Sequence, residues 1–257
     1  MATYTTEITS DKLISDNPIH QRLLKAYIAA TPFIEGKLLE IGCGEGRGVE
    51  ILAPKAESYL GLDKIPEIVR RLQEKYPQYR FQQAIIPPLQ GLPSSTYDTV
   101  VSFQVIEHIE EDDLFLNEIH RVLKPGGQAI ISTPNIKYSL TRNPWHIREY
   151  TPEALKQLCE GIFTSVETMG IGGNKKVWSY HDANRLSVRK FTRWDIFNLQ
   201  YRLPATWLRF PYEVLNRINR NLLHKSQGKN VTGITHEDYP LLQSPEQALD
   251  LYYILKK

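Results

Sequence analysis

A chain of 257 residues, 41% hydrophobic and 23% charged, can bury one substantial α/β core with a cap but hardly two full domains. No apolar run approaches the roughly 20 residues that a membrane-spanning helix needs, and Met1-Ala2-Thr3-Tyr4-Thr5-Thr6-Glu7 lacks the basic start and apolar stretch of a secretory leader, so a cytoplasmic setting is expected. The net charge of +2 hides an asymmetry: between Arg185 and Lys229 ten basic residues meet only Asp195 and Glu213.

Short β-type runs alternate with helical segments through the first two thirds, the rhythm of a parallel sheet covered by helices. A helix is expected over Pro18 to Thr31, with Leu23, Leu24, Tyr27 and Ile28 on one face. Strands are expected over Lys37 to Ile41 and over Ser58 to Leu62, the second ending at Asp63. A helix carrying Ile65, Ile68, Val69 and Leu72 follows, then a strand near Tyr79 to Ala84 and a buried strand over Tyr97 to Phe103. Asp113 to Leu123 reads as a helix closed by Lys124-Pro125-Gly126-Gly127, before a strand over Gln128 to Thr133. Thr151-Pro152-Glu153 reads as a capped helix start. Phe163 to Ile171 and Leu249 to Leu255 have strand patterns, and the basic segment between them has helical character without a strand signal.

The central motif is Leu38-Leu39-Glu40-Ile41-Gly42-Cys43-Gly44-Glu45-Gly46-Arg47-Gly48. A buried strand feeds a turn whose glycines let a ligand lie directly on the backbone. By itself such a loop can equally be a tight strand-to-helix turn with no ligand. The spacing is Gly-x-Gly-x-Gly, with Arg47 where the dinucleotide fingerprint wants its third glycine. Glu40 before the loop would repel a pyrophosphate and suits a cationic ligand, and Asp63 at the end of the next strand can accept two ribose hydroxyls. The plainer reading of both acids is a solvated strand end.

Asp98-Thr99-Val100-Val101-Ser102-Phe103-Gln104-Val105-Ile106-Glu107-His108-Ile109 and Arg121-Val122-Leu123-Lys124-Pro125-Gly126-Gly127 follow in order. Together with the glycine loop they resemble the motifs of class I S-adenosylmethionine (SAM)-dependent methyltransferases, in the small-molecule branch that includes ubiquinone-type O-methyltransferases. The likeness covers roughly Leu38 to Ile171 and the final strand. It implies a Rossmann-like α/β fold: seven strands, mostly parallel with the last antiparallel, and helices on both faces; before the last strand, where that family normally has a short turn, the long segment Gly172 to Gln247 is expected to form a helical insertion. It implies SAM as cofactor and S-adenosylhomocysteine as product. Gly42, Cys43, Gly44 and Gly46 would pass under the methionine and ribose, Glu40 would face the methionine ammonium, and Asp63 with Lys64 would stand at the ribose. Phe103 and Gln104 would close the methionine side. The family usually offers an acid after the third strand for the adenine amino group; here Ala84-Ile85-Ile86-Pro87-Pro88 stands there, leaving Ile85 a backbone contact and an apolar wall.

The Asn/Asp-Pro-Pro-aromatic signature of amino-methylating DNA enzymes is absent after the fourth strand, where Ser102-Phe103-Gln104-Val105 stands, and nucleic acid is not an expected partner. No Cys/His spacing of a metal site occurs, and no metal is expected. The loop Arg142-Asn143-Pro144-Trp145-His146-Ile147-Arg148-Glu149-Tyr150 offers proton-transfer candidates, or is a crossover with Trp145 in the core. His146 is the first candidate base and His108 the second. Two domains are expected: 1–171 with 248–257 as the SAM-binding domain, and 172–247 as a basic helical insertion. In the insertion Val214, Leu215, Ile218 and Leu222 recur at helical spacing with Arg217, Arg220 and Lys225 elsewhere, and Phe191, Trp194, Phe197 and Tyr201 form an aromatic stripe. A lid shaping the acceptor pocket is the favoured role, with peripheral membrane contact or phosphate binding as alternatives. The expected acceptor is a small molecule, lipid-linked or glycan, methylated on oxygen; the rivals are a SAM-binding regulatory module without turnover and a nicotinamide oxidoreductase, which Arg47 opposes.

Overall fold

The computed structural model describes residues 13–193 and 199–257. The amino-terminal stretch read for a leader, together with Trp194, Asp195 and Phe197, lies outside the described residues, as do the side chains of Phe191 and Lys229. The chain folds as two compact units. One holds the described residues up to Lys25, Tyr138–Ile147 and the described part of Gly173–Pro240; the other holds Ala26–Lys137, Arg148–Gly172 and Leu241–Lys257.

The second unit is built on an eight-stranded sheet, counted among the described residues. In chain order the strands are β1 (Lys37–Ile41), β2 (Ser58–Asp63), β3 (Arg80–Gln83), β4 (Tyr97–Phe103), β5 (Leu123–Pro134), β6 (Ser165–Ile171), β7 (Leu241–Leu242) and β8 (Asp250–Lys256). Their spatial order is β3-β2-β1-β4-β5-β8-β6-β7. β1 to β5 pair in parallel, while β8 runs antiparallel between β5 and β6. The α/β class and the antiparallel last strand are as the resemblance implies, and the strand count is not. The extra strand is β7, whose two residues pair with Gly170 and Ile171 at the sheet edge. Two residues carry no alternation that a sequence could display.

The inner strands are apolar on both faces because helices cover both. Leu38, Leu39 and Ile41 of β1 are buried, as are Val100 and Val101 of β4 and the run Leu251 to Leu255 of β8. One face packs Leu39, Ile41, Val100, Ile131 and Tyr253 against α4 (Asp112–Val122), through Phe115, Leu116 and Ile119, and α5 (Pro152–Glu160), through Leu155 and Cys159. Thr151 caps α5, its hydroxyl accepting from the Ala154 N–H at 3.1 Å. On the opposite face the last turn of α1 (Asn17–Ala30) brings the Tyr27 ring edge-on to Phe103 at 4.8 Å.

β5 begins earlier than expected, at Leu123, and takes in Lys124-Pro125-Gly126-Gly127. The register with β4 shifts between Tyr97 and Thr99, so the turn is an irregularity inside the ladder. Asp98 anchors it, accepting from Lys124 Nζ at 2.6 Å and from the Lys37 N–H at 2.8 Å.

The other unit contains α6 (Lys175–Thr192), α7 (Leu199–Arg202) and α8 (Ala205–Gly233). α8 joins the amino-terminal segment through Asp16, which is 1% exposed and paired with Arg217 at 3.0 Å and Arg220 at 3.2 Å. Asn17 donates to the carbonyls of Val231 and Ile234. A buried carboxylate must be paired, so the two arginines turn inward and the apolar stripe turns out. Val214, Leu215, Ile218 and Leu222 are exposed, and Trp207 and Phe210 more so.

Candidate functional site: the glycine loop and its acids

β1 delivers the chain into the glycine loop. The N–H groups of Gly42 and Cys43 both donate to the Leu62 carbonyl, at 2.8 and 2.9 Å, and the Gly46 N–H donates to the Cys43 carbonyl at 2.9 Å. φ is +78°, +49° and +81° at Gly42, Gly44 and Gly46. Gly44 decides what the loop can accept. A Cβ built there would meet no atom within 4 Å, so the backbone is bare on that side and a ligand can lie against it.

Asp63 closes β2 beside this opening. Its Oδ2 accepts from the Gly44 N–H and its Oδ1 from the Ile65 N–H, both at 2.9 Å. Each oxygen retains a lone pair for a further donor. The loop and the acid expected at the ribose are thus brought together. Lys64 is exposed, its carbonyl accepting from the Gln83 side chain at 3.3 Å. Ile85, just beyond β3, is 80% exposed, an apolar surface without cover.

Glu40 is not a solvated strand end. It is 1% exposed, and both oxygens already accept a tyrosine hydroxyl: Tyr27 Oη donates to Oε1 at 2.9 Å and Tyr59 Oη to Oε2 at 2.6 Å. Burial pushes its carboxyl up to about 7, with the hydroxyls of Tyr59 and Tyr27 pulling the other way. Cys43 is buried and its thiol is driven up by burial, so this residue offers the site its backbone alone. Phe103 ends β4 between Tyr27 and Tyr252, whose ring stacks on it at 6.2 Å. Gln104 takes the left-handed region at φ +57°, its N–H donating to the Ser132 carbonyl at 2.8 Å.

The two histidine candidates fall in different units. His108 ends a short turn, Ile106–His108, and its N–H donates to the Val105 carbonyl at 2.9 Å. Its neighbour Glu107 is buried and accepts from Thr133 Oγ1 at 2.9 Å. His146 lies in Tyr138–Ile147, its Nε2 2.7 Å from Asn143 Nδ2. Trp145 is half-buried in the same unit, with the Arg209 guanidinium 4.1 Å over its ring. Tyr150 is buried and donates to Asp112 Oδ2 at 2.7 Å; burial and that carboxylate push its phenol far up, which removes it as a proton acceptor near neutrality.

Sequence reasoning missed Tyr27 and Tyr59 as site residues. Tyr27 reads as one more apolar-face residue of a helix. Tyr59 could have been found, because parallel register sets Leu38 opposite Tyr59 and Glu40 opposite Gly61, on one face.

An open cradle at Gly44, a carboxylate beside it and a buried carboxyl beneath suit a nucleoside with a cationic portion and oppose a pyrophosphate. Residues 39–131 match the methyltransferase domain family. A probable S-adenosylmethionine-dependent methyltransferase of Mycolicibacterium smegmatis is 39% identical over 140 residues, 52% of this chain and 54% of the relative. The human mitochondrial ubiquinone biosynthesis O-methyltransferase is 27% identical over 185 residues, 62% of this chain and 47% of the relative. The chain spans about half the length of these two curated relatives. The structure of a Thermotoga maritima SAM-dependent methyltransferase, a possible histamine N-methyltransferase, superposes with a TM-score of 0.58 over 93% of this chain and 91% of that one. At 12% identity this is a likeness of fold alone. The glycine loop, the strand order around it and the matched segment coincide on the same residues, and this part of the chain is similar to class I SAM-dependent methyltransferase domains.

Proposed function

We propose that this protein transfers the methyl group of SAM to a small-molecule, lipid-linked or glycan acceptor, on oxygen. The observation that carries the reading is the Asp63 carboxylate, held 2.9 Å from the Gly44 N–H at the bare side of the glycine loop. Gly42, Cys43, Gly44 and Gly46 would cradle the donor with backbone, and Asp63 would accept from the ribose hydroxyls beside Lys64. Ile85 would offer an apolar surface to the base, and Phe103 and Gln104 would bound the methionine side. SAM supplies an already activated methyl, so the protein's task is to hold the acceptor atom in line with it, worth up to about 7–11 kcal/mol as effective molarity. Oxygen is preferred to nitrogen through the likeness to the ubiquinone O-methyltransferase. A hydroxyl acceptor must lose its proton, and His146, then His108, is proposed as the base.

The insertion, 172–247, is proposed as an acceptor-side lid. β6 runs parallel to β1, so the chain leaves β6 at the same carboxyl end of the strands at which β1 enters the glycine loop, the end that binds ligands in open α/β sheets. A second reading is contact with an anionic membrane surface, favoured by the exposed Trp207 and Phe210 of α8. Among the described residues no helix is long and apolar enough to cross a membrane.

Calorimetry tests the donor site. SAM and S-adenosylhomocysteine should bind and NAD should not, and Asp63→Ala should weaken both adenosyl ligands by about tenfold or more, since a carboxylate bond to a hydroxyl is worth roughly 1.5–3 kcal/mol. Unchanged affinity in that variant sinks the role of Asp63. Binding without methyl loss across acceptor extracts would favour a regulatory module.

A further inference from the structure

The tyrosine pair around Glu40 is a built arrangement, and two glycines make room for it. A Cβ on Gly48 would stand 2.2 Å from Tyr27 Cε1 and 3.1 Å from Glu40 Oε2. A Cβ on Gly61 would stand 3.0 Å from Tyr59 Oη. Either side chain would push a tyrosine hydroxyl off the carboxylate. Both hydroxyls donate, so the pair favours the anion of a group that burial would otherwise keep neutral. The remaining groups that act on Glu40 are Asp63, which opposes its ionisation, and Arg47, which favours it; Cys43 beside it is held as a neutral thiol by burial.

We propose that Tyr27 and Tyr59 are positioning residues that hold Glu40 as a buried anion beneath the glycine loop, and that this charge makes the site prefer the sulfonium donor to its uncharged thioether product. The inference rests on the SAM reading above and adds a specificity to it. Donor and product share an ammonium and a carboxylate and differ by one positive charge at sulfur. A fixed negative charge in a water-poor surrounding separates two such ligands better than one in water, because the interaction is less screened. Strand-end acids do not all have this property: a solvated carboxylate would be screened and would titrate near its usual pH. The pair of hydroxyls offsets part of the cost of burial, so that Glu40 can ionise near neutrality, and it fixes the oxygens, so that neither turns toward a competing donor.

The test is calorimetric binding of SAM and S-adenosylhomocysteine to the full chain between pH 5.5 and 7.5, with thermal melts to confirm folding. SAM affinity should rise about tenfold across that range and the product's affinity by less. In Glu40→Gln the ratio of the two affinities should fall several-fold, and the pH dependence should flatten; titration of the ligand's own ammonium would survive in this variant and so is subtracted. Tyr59→Phe keeps the ring and removes one donor, so Glu40 should ionise at higher pH and the inflection should move up. A wild-type ratio and profile retained in Glu40→Gln overturn the inference, and so does an unmoved inflection in a folded Tyr59→Phe. No binding of either ligand at any pH would overturn the SAM reading itself, and this inference with it.

Discussion

Asp63 and Glu40 are both acids at strand ends, and their surroundings give them different chemistry. Asp63 is half-buried, tied to two backbone N–H groups and able to accept more. Glu40 is sealed between two phenols and acts only through its charge. His146 is a third case. The Trp145 N–H donates to Asn143 Oδ1 at 3.1 Å, which turns Asn143 Nδ2 toward His146 Nε2. With the amide turned that way Nε2 is the accepting nitrogen, the arrangement a base at this position would need. As the proposed base, His146 would exchange the amide for the acceptor hydroxyl as the acceptor enters. With an acceptor in hand, His146→Gln should depress turnover at saturating SAM by about 10²-fold or more, the scale of a lost general base, with SAM affinity unchanged. Normal turnover with an unaltered pH profile would remove His146 from the mechanism. The acids of the site were legible because each sits at a fixed offset from a recognisable loop. The tyrosines were not, since Tyr27 reaches Glu40 only after α1 packs on the sheet.

At the scale of elements, the strands and the capped helix α5 follow from local pattern, and β1 and β4 fall where alternation and apolar runs put them. Local pattern fails where a distant partner decides. β7 exists because β6 offers an edge, and the Lys-Pro-Gly-Gly turn joins β5 because Asp98 of β4 anchors Lys124. α8 is the clearest instance. Its apolar stripe reads as the face that should be buried, yet Asp16, some 200 residues away in sequence, claims Arg217 and Arg220 and rotates that stripe outward. An exposed face holding Trp207, Phe210 and Ile218 needs a use. If the insertion is an acceptor-side lid, replacing these three by glutamine should leave SAM affinity within about twofold and lower acceptor turnover at least tenfold, about the loss of 1.4 kcal/mol of transition-state stabilisation. Flotation with anionic vesicles separates the second reading. Salt-sensitive flotation of the wild type, lost in the triple variant, would favour a membrane surface, and unchanged turnover would end the lid.

For the whole molecule, the ionisable groups whose pKa the fold shifts oppose one another in how they link stability to pH. Burial alone would raise Asp98 and Asp238, but Lys124 with the Lys37 N–H holds the first below its usual range, and the Thr235 N–H, Asn174 and Lys176 hold the second there. Glu118 is lowered by Arg121. These carboxylates stabilise the fold above their ordinary pKa and lose that contribution as pH falls. His120 and His181, both lowered by burial, act in the same sense and lose stability as pH drops below about 6.5. Glu40 runs the other way. With its carboxyl raised from 4.5 to about 7, it binds more protons in the folded chain than in the unfolded one between those values. Its contribution is complete below pH 4.5 and is lost as pH rises toward 7. The wild-type curve sums these effects, so the informative quantity is its difference from Glu40→Gln, whose amide resembles the protonated acid. In ligand-free urea unfolding the variant should match the wild type near pH 4.5. It should then gain on the wild type up to pH 7, by as much as about 3 kcal/mol, and hold that lead above it. SAM should narrow the gap at pH 7.5, because a cationic ligand favours the ionised Glu40 that the empty fold resists. A difference that stays constant from pH 4.5 to 8 would mean that Glu40 titrates alike in the folded and unfolded chain, and the buried anion would have to be abandoned.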